Sequence, residues 1–431
     1  MTGFIESASE PGTQPTVVDL FSGAGGTGLG FQQAGFRILG AVELDSSAAE
    51  TYEKNLQTVV RRIDIRELSP DVFRRELGLA PGQLDVLVGC PPCQGFSRMR
   101  NQSGAKDKRN DLVLRYLEYV EAFLPRFAVF ENVPGLIRTE HGRVFYCLLI
   151  EGLTRLGYGI VEREEDLVHY GIAQHRERVV VIAGRNHEIP PFPPRTHAKP
   201  GTDDIIRGLA NPWLTVWDVI GNKRYPQLRA GENGEHEGAY PNHKAPAIIE
   251  PRVLEFIRRV PHDGGSRKQV DPRFWLPCHQ GHSGHTDVYG RLAWHRPSNT
   301  ITAGCTNISK GRFVHPEQDR ALTPREAAAL QGFPDTFRFY GTNWASQIGN
   351  AVPPPLAYAI ATQLKKALTQ TEGEQSTGRS PEADMLHISV VAVGKSVGKS
   401  RVTSRAKARP ALAKATGEGT EAGPTLWWDD S

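Results

Sequence analysis

The chain has 431 residues, 39% hydrophobic and 23% charged, which supports a folded core of about two domains and excludes a chain built of membrane spans. A formal charge of +3 excludes a globally basic nucleic-acid binder, so any such surface must be a local patch. Five cysteines, an odd number, argue against a disulfide framework and for a reducing cytoplasm. Residues 1–14 read as a flexible leader without the basic-then-apolar pattern of a signal peptide. No apolar run approaches the ~20 residues that span a bilayer.

Thr16 to Leu20 is an apolar strand, followed by F-S-G-A-G-G-T-G. Gly23, Gly25 and Gly28 fit G-x-G-x-x-G at a strand-to-helix turn, where backbone can approach a ligand closely. Arg37 to Val42 reads as a second strand with Glu43 at its end, placed to accept hydrogen bonds from ribose hydroxyls. This fingerprint suits any adenosine-bearing cofactor and does not separate NAD from S-adenosylmethionine. Asp64-Ile65 follows a third potential strand; an adenine contact and a plain loop aspartate are equally compatible with the spacing.

Asp85 to Val88 is a short buried strand stopped by Gly89 and Pro91-Pro92, which leaves Cys93 at its mouth. Ligands bind at that edge of an open α/β sheet, so a thiol there suits a nucleophile. The alternatives are a buried structural cysteine, a redox pair with Cys90, or half of a zinc site. Zinc fails because the chain has no second C-x-x-C, and no thioredoxin-like unit surrounds this one. The polar, basic stretch from Arg98 to Asp111 reads as a mobile loop, either solvated or a lid over a phosphate backbone. Leu112 to Leu124 has helical periodicity. Phe127 to Phe130 is another buried strand, ending in Glu131-Asn132-Val133, where Glu131 is a candidate proton donor or acceptor. Gly157–Val168 and Tyr170–Ala183 read as strands, with Arg176 and Arg178 at alternate positions and therefore on one face.

Residues 186–290 are rich in Pro, Gly, His and Arg, a separate loop-rich region. Cys278, His279, His282 and His285 carry metal-binding side chains, but their spacing and two glycines do not suit zinc, and no metal is expected. Arg291 to Thr302 recovers strand character, and Thr323-Pro324 with Glu326 starts a short helix with a capping box. Gln347 to Leu356 reads as a tight turn into a final helix ending near Leu368. Lys395 to Lys414 holds seven basic residues and no acid, the composition of a disordered basic tail.

The order of these motifs resembles the DNA cytosine-5 methyltransferase family. D-L-F-S-G-A-G-G, Glu43, Pro91-Pro92-Cys93-Gln94, Glu131-Asn132-Val133, Gln174-x-Arg176-x-Arg178 and Gln347-Ile348-Gly349-Asn350 follow the family's sequence from about residue 15 to 368. The resemblance implies an α/β, Rossmann-like sheet that binds S-adenosylmethionine, facing a smaller loop-rich target-recognition domain. The implied boundaries are 15–185 completed by 335–368, a small domain over 186–334 with its recognition region at 186–290, and a tail from 369 to 431. By similarity, Cys93 adds to C6 of cytosine, Glu131 holds N3, Arg176 lies near base and thiolate, and Arg178 and Asn132 orient the site. Phe21, Gly23, Gly25, Glu43, Asp64, Ile65, Pro92 and Asn350 are the implied cofactor-binding residues. The implied partner is duplex DNA with its target base flipped out, as modification enzyme beside a cognate restriction endonuclease that acts on the same site without direct binding. A cytoplasmic monomer without membrane contact is expected. A tRNA cytosine-5 methyltransferase and a DNA-binding regulator without turnover are the alternatives. The basic tail is not part of the family's pattern.

Overall fold

A computed structural model of the chain describes residues 14–92, 111–236, 239–280 and 287–377, all within one compact unit. The leader up to residue 13, Cys93 and the basic stretch 93–110, His282, His285 and the tail beyond 377 lie outside the described residues. The chain opens with β1 (Thr16–Leu20), α1 (Gly26–Gln33), β2 (Arg37–Glu43), α2 (Ser46–Leu56), β3 (Val60–Arg62), α3 (Pro70–Glu76) and β4 (Val86–Gly89). It continues with α4 (Leu112–Phe123), β5 (Phe127–Asn132), α5 (Gly135–Arg138), α6 (Glu140–Arg155), β6 (Gly159–Asp166) and β7 (Glu177–Gly184).

These strands form one seven-stranded sheet in the order β3-β2-β1-β4-β5-β7-β6, parallel except for β7, which runs antiparallel to β5 and β6. Alternate residues of each central strand serve opposite faces. Val18, Leu87, Ala128 and Phe130 pack under α3, α4 and α6, whereas Val17, Val86, Phe127 and Val129 pack against α1 and the final helix. The chain moves outward from β1 to β3 and then restarts on the other side at β4. This strand-order reversal between β1 and β4 leaves a crevice at the carboxyl edge.

After β7 come β8 (His197–Ala198), α7 (Asp203–Ile206), β9 (Asn211–Pro212), α8 (Val216–Ile220) and α9 (Pro251–Arg259), joined by long irregular segments. Then follow α10 (Pro324–Leu330), α11 (Trp344–Asn350) and α12 (Pro354–Thr377). One hydrophobic cluster runs continuously from Ala24, Ala41 and Tyr52 through Leu292, Phe313 and Leu330 to Ile348. No helix among the described residues is long and apolar enough to cross a membrane.

Five expectations are corrected. The final helix α12 runs on to Thr377 rather than ending near Leu368. Tyr170 to Arg176 is not strand: Leu167–Tyr170 is a 3-10 turn and β7 begins only at Glu177. Arg176 and Arg178 therefore do not alternate along one strand, because Arg176 sits in the loop that precedes it. Arg291 to Thr302 forms no strand, since Arg291 and Ser298 make only lone bridges to Val314 and Gln174, and Pro297 interrupts any ladder. Gln347–Asn350 is the end of α11 rather than a turn, and the turn is confined to Ala351–Pro353. The expected capping box at Thr323 and Glu326 is present, with both side chains buried.

The glycines of the first loop serve packing as much as any ligand. A Cβ on Gly28 would lie 2.3 Å from the Tyr52 hydroxyl, and one on Gly30 would lie 2.5 Å from the Ala357 Cβ and 2.6 Å from the Pro354 carbonyl. These positions let α1 sit flush against α2 and α12.

Candidate active site

The carboxyl ends of β1, β2, β4 and β5 open into a cavity of about 380 Å³, the size of a cofactor site. Phe21, Gly23, Glu43, Asp64, Ile65, Pro92, Asn350, Glu131, Asn132, Arg176 and Arg178 all line it. Of the expected residues that are described, Gly25 alone does not line the cavity. With φ at +100° it caps α1, and an added Cβ would press on Tyr52 at 3.0 Å. Gly23 faces open space, with φ at +54° and nothing within 4 Å of its Cβ position. Phe21 has φ at +55°, unusual for a side chain of that size, and this conformation turns the chain over the cavity directly after β1.

Glu43 is held by three backbone donors. Gly23 N donates to Oε2 at 2.8 Å, and Leu44 N and Asp45 N both donate to Oε1 at 2.8 Å. Burial raises its pKa, against the opposing effect of those N–H groups. Oε2 keeps a lone pair for a hydroxyl ligand. Asp64 is engaged by Arg66, whose Nε lies 2.9 and 3.1 Å from its two oxygens, and this pair holds the Asp64 carboxyl below its usual range. Arg66 itself lines the cavity. Sequence reading missed it, although the D-x-R spacing at a turn was visible.

Glu131 and Asn132 end β5 beside the end of β4. Asn132 Nδ2 donates to the Pro91 carbonyl at 3.2 Å, and its Oδ1 accepts from Val133 N at 2.9 Å. It thereby ties the segment entering Cys93 to β5. Arg178 Nε lies 2.7 Å from Glu131 Oε1, an ion pair in which the N–H is not aimed at that oxygen. Glu131 Oε1 is thus buried without a hydrogen bond, in a residue that lines the cavity. Arg176, 2% exposed, donates from Nη1 to Ile301 O at 3.0 Å and from Nη2 to Gly349 O at 3.0 Å and Ala351 O at 3.2 Å.

One further group escaped sequence reading. Asp19, inside β1, is fully buried, accepts from the Tyr52 hydroxyl at 3.2 Å, and is pushed up to about 7 by burial. Burial also pushes the Cys90 thiol well above its ordinary value, which makes it a poor nucleophile and a poor redox partner. Gln347 binds the Thr51 hydroxyl at 2.7 Å and the Tyr340 carbonyl at 2.9 Å, which anchors α11 as one cavity wall.

Residues 15–366 match the family model of the C-5 cytosine-specific DNA methylases. The chain belongs to this family. It is 36% identical over 363 residues to the Type II methyltransferase M1.HphI of Haemophilus parahaemolyticus, covering 82% of this chain and 87% of that one. It is 30% identical over 433 residues to the Type II methyltransferase M.AgeI of Thalassovita gelatinovora, covering 82% and 99%. Among solved structures, an Escherichia coli protein described as a prophage-encoded DNA modification methyltransferase matches with a TM-score of 0.61 at 25% identity, over 83% of this chain and all of that one. The protein is a DNA cytosine-5 methyltransferase that uses S-adenosylmethionine. The cavity suits that cofactor: apolar Phe21, Val42 and Ile65 offer walls for adenine, Glu43 a ribose acceptor, and Gly23 an open backbone.

Proposed function

We propose that the protein methylates C5 of a flipped-out cytosine within a specific duplex sequence, through a covalent bond between Cys93 and C6. Glu131 is the observation that carries this reading: a buried carboxyl at the end of β5, held against Arg178, that lines the cavity beside the segment entering Cys93. Bound S-adenosylmethionine supplies an electrophilic methyl group on its sulfonium. Cys93 attacks C6 as thiolate, the C5–C6 π electrons shift through C4 to N3, and Glu131, acting as the acid, gives a proton to N3 that it takes back when the thiolate leaves. C5, now enamine-like, takes the methyl as its bond to sulfur breaks, which leaves S-adenosylhomocysteine. Loss of the C5 proton to a base then re-forms the double bond and expels the Cys93 thiolate. Asn132 positions the Cys93 segment through Pro91.

The same proposal assigns 15–185 and 335–368 to catalysis and cofactor binding, and 186–290 within 186–334 to target recognition. Asn, Arg and His side chains there suit base and phosphate contacts. The Type II names of the relatives support a modification role beside a cognate endonuclease acting on the same site, in the cytoplasm. The protein is proposed to act as a monomer.

The test uses tritiated S-adenosylmethionine with mixed-sequence duplex DNA and with total tRNA. Label at cytosine C5 in DNA, confined to one sequence, is expected. Label on tRNA alone, or none on either with cofactor binding intact, overturns the reading.

A further inference from the structure

We propose that Gln174 and Arg176 form a junction through which cofactor binding and duplex binding reinforce one another, with Arg176 as a positioning residue. This rests on the reading that 186–290 contacts DNA.

The junction joins three distant pieces of chain. Arg176 bonds the carbonyls of Ile301, Gly349 and Ala351 at 3.0 to 3.2 Å, while its own N–H donates to Asp166 Oδ1 at 2.9 Å. Gln174, completely buried, accepts from Ile301 N at 3.0 Å and donates to Leu330 O at 3.1 Å and to Gln331 Oε1. Gln331 in turn donates to Ala351 O at 2.8 Å. The backbone of α11 lies directly on the backbone of 302–303, since a Cβ on Gly349 would sit 2.1 Å from the Thr302 carbonyl carbon.

Of these pieces, 349–351 is a wall of the cofactor cavity. Segment 298–303 is where the chain returns from the proposed recognition region. A displacement of either piece must move the other or break buried hydrogen bonds. Each broken bond leaves an acceptor unsatisfied in the interior. A contiguous hydrogen-bonded path of this kind can carry coupling between two sites, and the coupling is reciprocal.

The chemistry of the side chain separates this role from a purely electrostatic one. A planar guanidinium reaches carbonyls on separate segments at once, whereas a lysine ammonium keeps the charge but gathers its donors at one point. Arg176→Lys therefore preserves any help the charge gives to a thiolate and loses the span.

The experiment measures S-adenosylhomocysteine affinity by calorimetry on the full chain, without and with saturating duplex that carries the mapped methylation site. The readout is the ratio of the two affinities, whatever their absolute values. The wild type is expected to gain about tenfold from the duplex, within the usual range of coupling, and Arg176→Lys about twofold or less. Should Arg176→Lys not fold, Gln331→Met, which removes the Ala351 contact, is expected to lower the ratio as well. A full wild-type ratio in Arg176→Lys with a fallen kcat overturns the proposal in favour of a catalytic charge. A wild type that methylates the duplex but shows no coupling overturns it too. A wild type that methylates no DNA refutes the underlying reading, and this inference falls with it.

Discussion

The molecule buries charge in two places and treats it in opposite ways. Around α10, Arg320 and Arg291 have their partners, although Arg325 Nε and Nη2 are buried without a hydrogen-bond partner. Arg320, wholly buried, makes two 2.7 Å bonds to the Glu326 carboxylate and a third to the Ala321 carbonyl. Arg291, also wholly buried, donates to the carbonyls of Val260, Ile257, His315 and Gln318 and pairs with Asp319. In and just beyond the central strands of the sheet, Asp19 Oδ1, Ser22 Oγ and Glu131 Oε1 are also buried without a hydrogen-bond partner. The Arg320–Glu326 pair holds segments together, whereas Glu131, alone of those three groups, lines the cavity and keeps bonding capacity next to it. The pKa shifts follow the same division. Arg320 helps hold Glu326 down to about 2 despite its burial, while burial dominates at Asp19 and raises it to about 7.

The contrast breaks most visibly at Glu131. Glu131→Gln is expected to lower methyl transfer by about 10²–10⁴-fold while the thermal midpoint stays within a degree or two or rises. A large loss of stability would make Glu131 a structural acid like Glu326. The converse substitution, Glu326→Ala, leaves Arg320 buried beside a missing partner and is expected to cost about 3–5 kcal/mol of stability. Denaturant unfolding measures this, and cofactor affinity per folded molecule should be little changed. Gly30→Ala is expected to cost about 1–3 kcal/mol by wedging α1 away from α12, in the same assay.

The pH dependence also separates the two regions, because they slope in opposite directions. Asp19 keeps its proton up to about pH 7 when folded but releases it near 3.8 when unfolded, so its contribution falls as pH rises through that window. Glu326, held at about 2 against an ordinary 4.5, stabilises fully above 4.5 and loses that contribution as pH falls toward 2. His315, lowered to about 3 chiefly by burial, likewise weakens the fold as pH falls from 6.5. Unfolding midpoints between pH 5 and 7.5 should therefore drop less steeply with rising pH in Asp19→Asn than in the wild type. An unchanged slope would mean that Asp19 is ionised in the folded protein.

Much of the catalytic side was legible in the sequence because its signals are local. Apolar runs at 16–20, 85–88 and 127–130 end in Gly, Pro or a polar pair, and a parallel sheet brings those ends to one edge. Glu43, Glu131 and Asn350 meet there although they are far apart in sequence. What stayed hidden depends on tertiary burial. Nothing local says that Asp19 is buried, that Arg176 threads between three carbonyls, or that Glu326 pairs with Arg320 in addition to capping α10. The glycine and prolines after Gln347 read as a turn, whereas Thr51 and Tyr340 anchor that residue within a helix.

The central claim is that the strand-end site works by covalent addition of Cys93. Its most direct test incubates the full chain, with cofactor, on duplex whose target cytosine carries fluorine at C5. Fluorine cannot depart as a cation, so the final elimination is blocked and the adduct accumulates. The account predicts a protein–DNA species that survives denaturation, formed by the wild type and absent in Cys93→Ser, which should still bind cofactor. An adduct of equal yield in Cys93→Ser, or turnover by that variant at the wild-type rate, would contradict it.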